Sequence, residues 1–212
     1  DVGFVPQTSS SKAVALGLIA ALLDPEHKND FLSYLTRIAI IGADITFTDQ
    51  VLDRSWHMPA ADLEIERYID RIKGSMSLVF DAGQKQTEFD FNAEYLNQPK
   101  EIELRVNFNG ASPSMFAGIT SGLSQLRHLD MPLSGEISLR MPINGDIDQV
   151  GMTVRGGSGR LHLPKPFTQT LNITAIEMDA IYNGNNNSGR VENFLVQLAP
   201  GSTLHLPAPL KH

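Results

Sequence analysis

From Arg37 onward, apolar and polar residues alternate with period two. Ala43, Ile45 and Phe47 alternate with Asp44, Thr46 and Thr48, and Leu63 and Ile65 with Glu64 and Glu66. Met76, Leu78 and Phe80 are interleaved with Ser75, Ser77 and Val79. Phe89, Phe91, Ala93 and Tyr95 are interleaved with Glu88, Asp90, Asn92 and Glu94. Ile102, Leu104, Val106 and Phe108 alternate with Glu101, Glu103, Arg105 and Asn107. The pattern returns at Ile137, Leu139 and Met141, at Val150, Met152 and Val154, at Leu161 and Leu163, and at Phe194, Val196 and Leu198. In a strand, successive side chains point to opposite faces, so each run predicts a strand with one apolar and one wet face.

Turn residues punctuate the runs. Asn109-Gly110 and Asn144-Gly145 are preferred tight-turn pairs because both residues tolerate positive φ. Asp81-Ala82-Gly83 and Asn97-Gln98-Pro99 also stand between alternating runs. The polar stretch Asn183–Arg190 predicts a loop between two further strands, over 170–182 and 190–198. Strands of about ten residues span roughly 33 Å. Such long, consecutive, hairpin-linked strands favour one extended antiparallel sheet over a compact sandwich.

Two stretches read as helical. Within 11–35, Ser10 or Ser11 caps a helix through Leu23, which Asp24-Pro25 stops, and Asn29 or Asp30 caps a second turn. Ala13–Leu23 is apolar all round and predicts burial or docking on something apolar. Within 112–128, Ser112 caps, Pro113 takes the first helical position, and Met115, Phe116, Ile119, Leu123 and Leu126 form a narrow stripe. That stripe predicts packing on the rim of the sheet. The organisation expected is a helical lead-in over 1–36, a β unit over 37–165 with the insert 112–128, and the start of a further β-repeat over 166–212.

Composition narrows the function. The 212 residues carry 17 Lys+Arg against 24 Asp+Glu, a net charge of −7, which argues against a nucleic-acid partner. With no cysteine, disulfides, thiolate metal sites and thiol nucleophiles are excluded. The longest apolar run is too short for a membrane span of about 20 residues. The chain opens at Asp1 rather than Met, which reads as processing or excision from a longer protein.

Catalytic constellations are not apparent. Ser9 to Lys12 fits an S-x-x-K pattern, but the K-T-G and S-D-N companions are missing, so helix capping accounts for it better. Gly156-Gly157-Ser158-Gly159 lacks the second glycine position of a nucleophile elbow and reads as a hairpin turn or bulge. The six histidines have no metal-ligand spacing and read as surface or strand-face residues. Asp146-Ile147-Asp148 reads as a turn rather than a calcium loop. Trp56, the one tryptophan, is either an aromatic at a membrane or ligand rim or, preferably, a hairpin residue packing over the sheet. The chain is therefore read as a non-enzyme without cofactor or metal.

One resemblance adds to this. Leu35–Arg67 contains an Arg-bearing strand at Arg37, the run Gly42–Asp49, a W-x-x-P segment at Trp56 to Pro59, and Asp62–Arg67. Leu129–Glu136 carries L-x-x-P-L-S-G, and Gly156–Pro164 has a G-G-x-G-x-L-x-x-P form. In this order the motifs resemble the AsmA-like superfamily, in particular the YhdP-type envelope proteins of Gram-negative bacteria. The resemblance implies a long, curved antiparallel sheet, a U-shaped groove whose apolar concave face carries phospholipid acyl chains across the periplasm. It also implies a parent anchored in the inner membrane, neighbouring repeats as partners, and contacts with inner- and outer-membrane components. Groove-lining candidates are Ile45, Phe47, Leu63, Ile65, Met76, Leu78, Phe80, Phe89, Phe91, Tyr95, Ile102, Leu104, Val106, Phe108, Ile137, Leu139, Met152 and Val154. The alternative is a structural or adaptor β-domain in envelope assembly, with its apolar face closed on itself or capped by the 13–23 helix and no lipid bound.

Overall fold

The computed structural model describes residues 36–49, 54–81, 86–117, 121–143, 147–165, 167 and 169–201. The helical reading of 11–35 lies outside them. The described chain is mainly β, one open antiparallel sheet of eleven strands that does not close into a barrel.

The strands are β1 (Arg37–Asp49), β2 (Arg54–Arg67), β3 (Arg71–Asp81), β4 (Gln86–Leu96) and β5 (Glu101–Ala111). After the helical insert come β6 (Leu129–Asp130), β7 (Leu133–Pro142), β8 (Gln149–Gly156), β9 (Gly159–His162), β10 (Thr170–Asn183) and β11 (Ser188–Leu198). Spatial order follows the chain from β1 to β5, continues β7, β8, β10, and ends with β11 on the outer side of β10. Every pairing is antiparallel, as tight returns between successive strands require.

The strands expected over 170–182 and 190–198 are β10 and β11. β10 is shared: Ile176–Asn183 pair with β8 and Thr170–Ile173 with β9, so residues on both sides of position 165 belong to one sheet. The Gly156–Gly159 glycines are the jog between β8 and β9, which lie end to end along β10. Met131 lies where a side chain at Gly156 or Gly159 would stand.

Asn109-Gly110 is not a hairpin turn. Both residues lie inside β5, where Gly110 has φ +71° at a register shift between Phe108 and Ala111. The positive φ that marks a turn equally serves a bulge, which bends the strand before the insert. The turn at Asn97-Gln98-Pro99 does join β4 to β5, with a cis Gln98–Pro99 bond. The insert forms a short helix α1 (Pro113–Phe116) and a 3₁₀ helix (Ser121–His128), which touch each other and β6 at one end of the sheet.

That end holds the core. Phe108, Ala111, Met131, Leu133 and Ile173 are buried together, with Phe89, Leu129, Leu161 and Ile176 packed against them. No helix among the described residues is long and apolar enough to cross a membrane.

Candidate functional site

Register converts the period-two pattern into a surface. One row crosses the sheet as Leu78, Phe89, Phe108, Gly135, Val154, Met178 and Phe194. The next runs Leu63, Met76, Phe91, Val106, Ile137, Met152, Ala180 and Val191. A third runs Ile65, Gly74, Ala93, Leu104, Leu139, Val150 and Tyr182. Tyr95 and Ile102 pair in a fourth, with Ile72 and Met141 beyond them. Ile45 pairs with Met58, Phe80 with Thr87 and Phe47 with Trp56, which places Trp56 inside β2.

From β2 to β8 the expected lining residues thus share one face. A one-residue slip anywhere would have thrown a strand's set to the other side. Aromatic contacts reinforce the register. The Phe80 and Phe89 rings meet edge to face at 5.2 Å, Phe89 stacks on Phe91 at 6.1 Å, and Phe89 lies 6.3 Å from Phe108. Pairs of this kind contribute about 0.5–1.5 kcal/mol beyond burial.

Coverage of the face is uneven. At the capped end Phe108 and Leu133 are each 8% exposed. Toward the middle, Leu104, Val106, Leu139 and Met152 are only part-buried. Among the described elements, the substantial strand contacts are between sheet neighbours, and those of the insert are with β6, at the capped end. The middle of the apolar face therefore has no second layer drawn from the described elements.

The opposite face is ionic, an arrangement that one-dimensional reading missed. Glu103 and Arg140 face each other across β5 and β7 with a 3.1 Å ion pair, and Arg105 stands 3.4 Å from Glu136. Arg71 reaches Glu94 at 3.1 Å. Arg37 pairs with Glu64 at 2.5 Å, and His57 with Asp44 at 2.9 Å. The signal was present as opposite charges on alternate positions of strands that pair, but it needs the register to be seen. A shallow trough of about 500 Å³ opens on this side, lined among others by Glu64, Lys73, Glu94, Glu103, Arg105 and Arg140. Several of its charges are paired, Glu103 with Arg140 and Arg105 with Glu136, and its lining also includes Ala93, Leu104 and Leu139.

The β2–β3 turn carries the clearest electrostatic shifts. Hydrogen bonding from Arg71 holds the Asp70 carboxyl below its ordinary value and Asp70 in turn raises Arg71. The Tyr68 hydroxyl donates to Glu66 at 2.7 Å, and that carboxylate raises the phenol.

Compared with known proteins, the chain matches no family model, no curated protein and no solved structure.

Proposed function

We propose that this chain is a periplasmic segment of an AsmA-like envelope protein whose apolar sheet face carries phospholipid acyl chains between inner and outer membrane. The observation that carries the reading is the apolar face running across the sheet, part-buried in its middle strands and without a second layer among the described residues. Contiguous apolar surface of this extent is rare on proteins that bind nothing. Acyl chains satisfy it without directional contacts, each buried CH₂ contributing about 0.8 kcal/mol. The ordered motifs around Arg37, Trp56–Pro59, Leu129–Glu136 and Gly156–Pro164 support the same reading. The role proposed is binding and conduction rather than chemistry, and it serves outer-membrane lipid homeostasis.

The test is mass spectrometry of lipid extracted from the purified protein, with Leu104→Asp and Arg105→Asp compared at matched folding. Wild type and Arg105→Asp are expected to carry phospholipid. Leu104→Asp is expected to lose it, because an ionised carboxylate amid acyl chains costs several kcal/mol. Lipid-free wild type, or equal lipid content in the two variants, would move the adaptor reading ahead. In that case the face is covered by protein, with the apolar segment 13–23 the first candidate to examine by deletion.

A further inference from the structure

The sulfur chemistry of this chain is all thioether: it has no cysteine and seven methionines. Met76, Met141, Met152 and Met178 take apolar phases of β3, β7, β8 and β10. Their register partners are apolar. Met76 lies opposite Leu63 and Phe91, Met141 opposite Ile102, Met152 opposite Ile137 and Ala180, and Met178 opposite Val154 and Phe194. From β3 to β10 there are five strand spacings, about 24 Å at roughly 4.8 Å each. The four methionines are thus spread over the breadth of the apolar face rather than gathered into one core gap.

Exposure separates them from two others. Each of the four is part-buried, on the stretch of the face that has no second layer among the described residues. Met58 and Met131 are 8% and 4% exposed, and Met131 belongs to the core at the capped end. Oxidation of a thioether follows access to its sulfur, so the four on the open face are the ones an oxidant reaches.

The chemistry needs nothing from the protein but that access. With hydrogen peroxide, a sulfur lone pair attacks one oxygen and the O–O bond breaks as the S–O bond forms. The departing hydroxide takes the proton from the transferred hydroxyl and leaves as water. Sulfur is oxidised by two electrons and the peroxide is reduced by two. The product is a polar side chain with a strong acceptor oxygen in place of a flexible apolar one. On an uncovered face that oxygen turns to water and the backbone ladder is untouched. Beneath an acyl chain it meets no donor, and burying an unpaired polar group opposes binding.

We propose that Met76, Met141, Met152 and Met178 are sulfoxidation sites through which peroxide switches off the affinity of the apolar face for acyl chains. The sites stand on exposure and position alone; the loss of affinity rests on the acyl-chain reading of the face.

The experiment treats the delipidated 212-residue chain with hydrogen peroxide, removes the peroxide, and offers phosphatidylethanolamine. Peptide mass spectrometry reads sulfoxide at each methionine, and lipid uptake is measured on the same samples. A variant carrying Met76→Leu, Met141→Leu, Met152→Leu and Met178→Leu keeps volume and apolarity and removes the four sulfurs. In wild type the four are expected to oxidise several-fold faster than Met58 and Met131, and lipid uptake to fall about tenfold. The leucine variant is expected to take up lipid like untreated wild type, before and after peroxide. Circular dichroism is expected to be unchanged by the treatment. Equal oxidation of the buried pair and the four would overturn the site assignment. Full lipid uptake by oxidised wild type, an equal peroxide-induced loss in the leucine variant, or loss of the strand signal along with the lipid would overturn the switch. Untreated wild type that takes up no lipid would overturn the acyl-chain reading and the switch with it, while faster oxidation of the four would still establish the sites.

Discussion

Among single residues, the apolar face is shaped by its small members as much as its large ones. Gly135 lies between Phe108 and Val154 in the same row. A Cβ there would collide with the Thr153 carbonyl oxygen and stand 3.0 Å from Phe108 Cζ. At Gly156, a Cβ would meet the ends of the Ile176, Leu133 and Met131 side chains instead, each at 2.8 Å. Side-chain ends can move and backbone cannot. Gly135→Ala is therefore expected to destabilise by about 1–3 kcal/mol, and Gly156→Ala by less. Urea unfolding of both variants checks the order, and an equal or reversed ranking would mean that the strands shift freely around Gly135. None of this was legible beforehand. The sequence shows Gly135 following Leu133-Ser134, but only the register shows it opposite Phe108. The large apolar residues were legible, because Tyr95 and Phe108, each 8% exposed, occupy the same phase of the alternation as their neighbours.

Elements differ in how far local sequence determines them. β10 and β11 were readable to within a few residues because alternation and the Asn-rich loop agree. The insert was readable as helical from Pro113 and its stripe, and its described residues form α1 and a 3₁₀ helix over Ser121–His128. The β6–β9–β10 pairing was not readable, since β6 is two residues long and carries no periodicity of its own. The β2–β3 turn shows local chemistry acting within one element. Arg71 bonds Asp70 at 2.9 Å and lowers its pKa from 3.8. A carboxylate lowered in the folded state supports that state above its unfolded value, and the support fades as pH falls through the lowered one. Asp70 is exposed, so global stability changes little. An NMR titration is expected to place the Asp70 midpoint below 3.8 in wild type and nearer the ordinary value in Arg71→Gln. An unchanged midpoint in the variant would mean that the backbone of the turn, not Arg71, holds the carboxylate.

The whole molecule has an asymmetry that follows from leaving the sheet open. Among the described residues β1 and β11 each pair on one side only, and each carries exposed apolar residues: Ile41 at 83% in β1, Phe194 at 63% and Val191 at 58% in β11. Such edges invite pairing with other chains, and bulges are one way of blunting them. β1 has register breaks between Ile40 and Ala43 and between Ala43 and Ile45, with Gly42 at φ +63°. β11 has a break opposite Asp179 and Ala180. Burial, by contrast, concentrates near Phe108, Ala111, Leu133 and Ile173. Local opening free energies track local burial, so the sheet is expected to fray from its edges inward. Amide hydrogen exchange by mass spectrometry is expected to give least protection in β11 and β1 and most in β5, β7 and the first half of β10. Adding phospholipid is expected to raise protection in the middle strands β3 to β8, where acyl chains would lie, and to leave β11 Arg190–Asn193 fast. Uniform protection across the sheet would mean that it opens as a single unit. Lipid-induced protection absent from β3 to β8, or confined to the edge strands β1 and β11, would place the ligand off the middle of the sheet and end the acyl-chain reading.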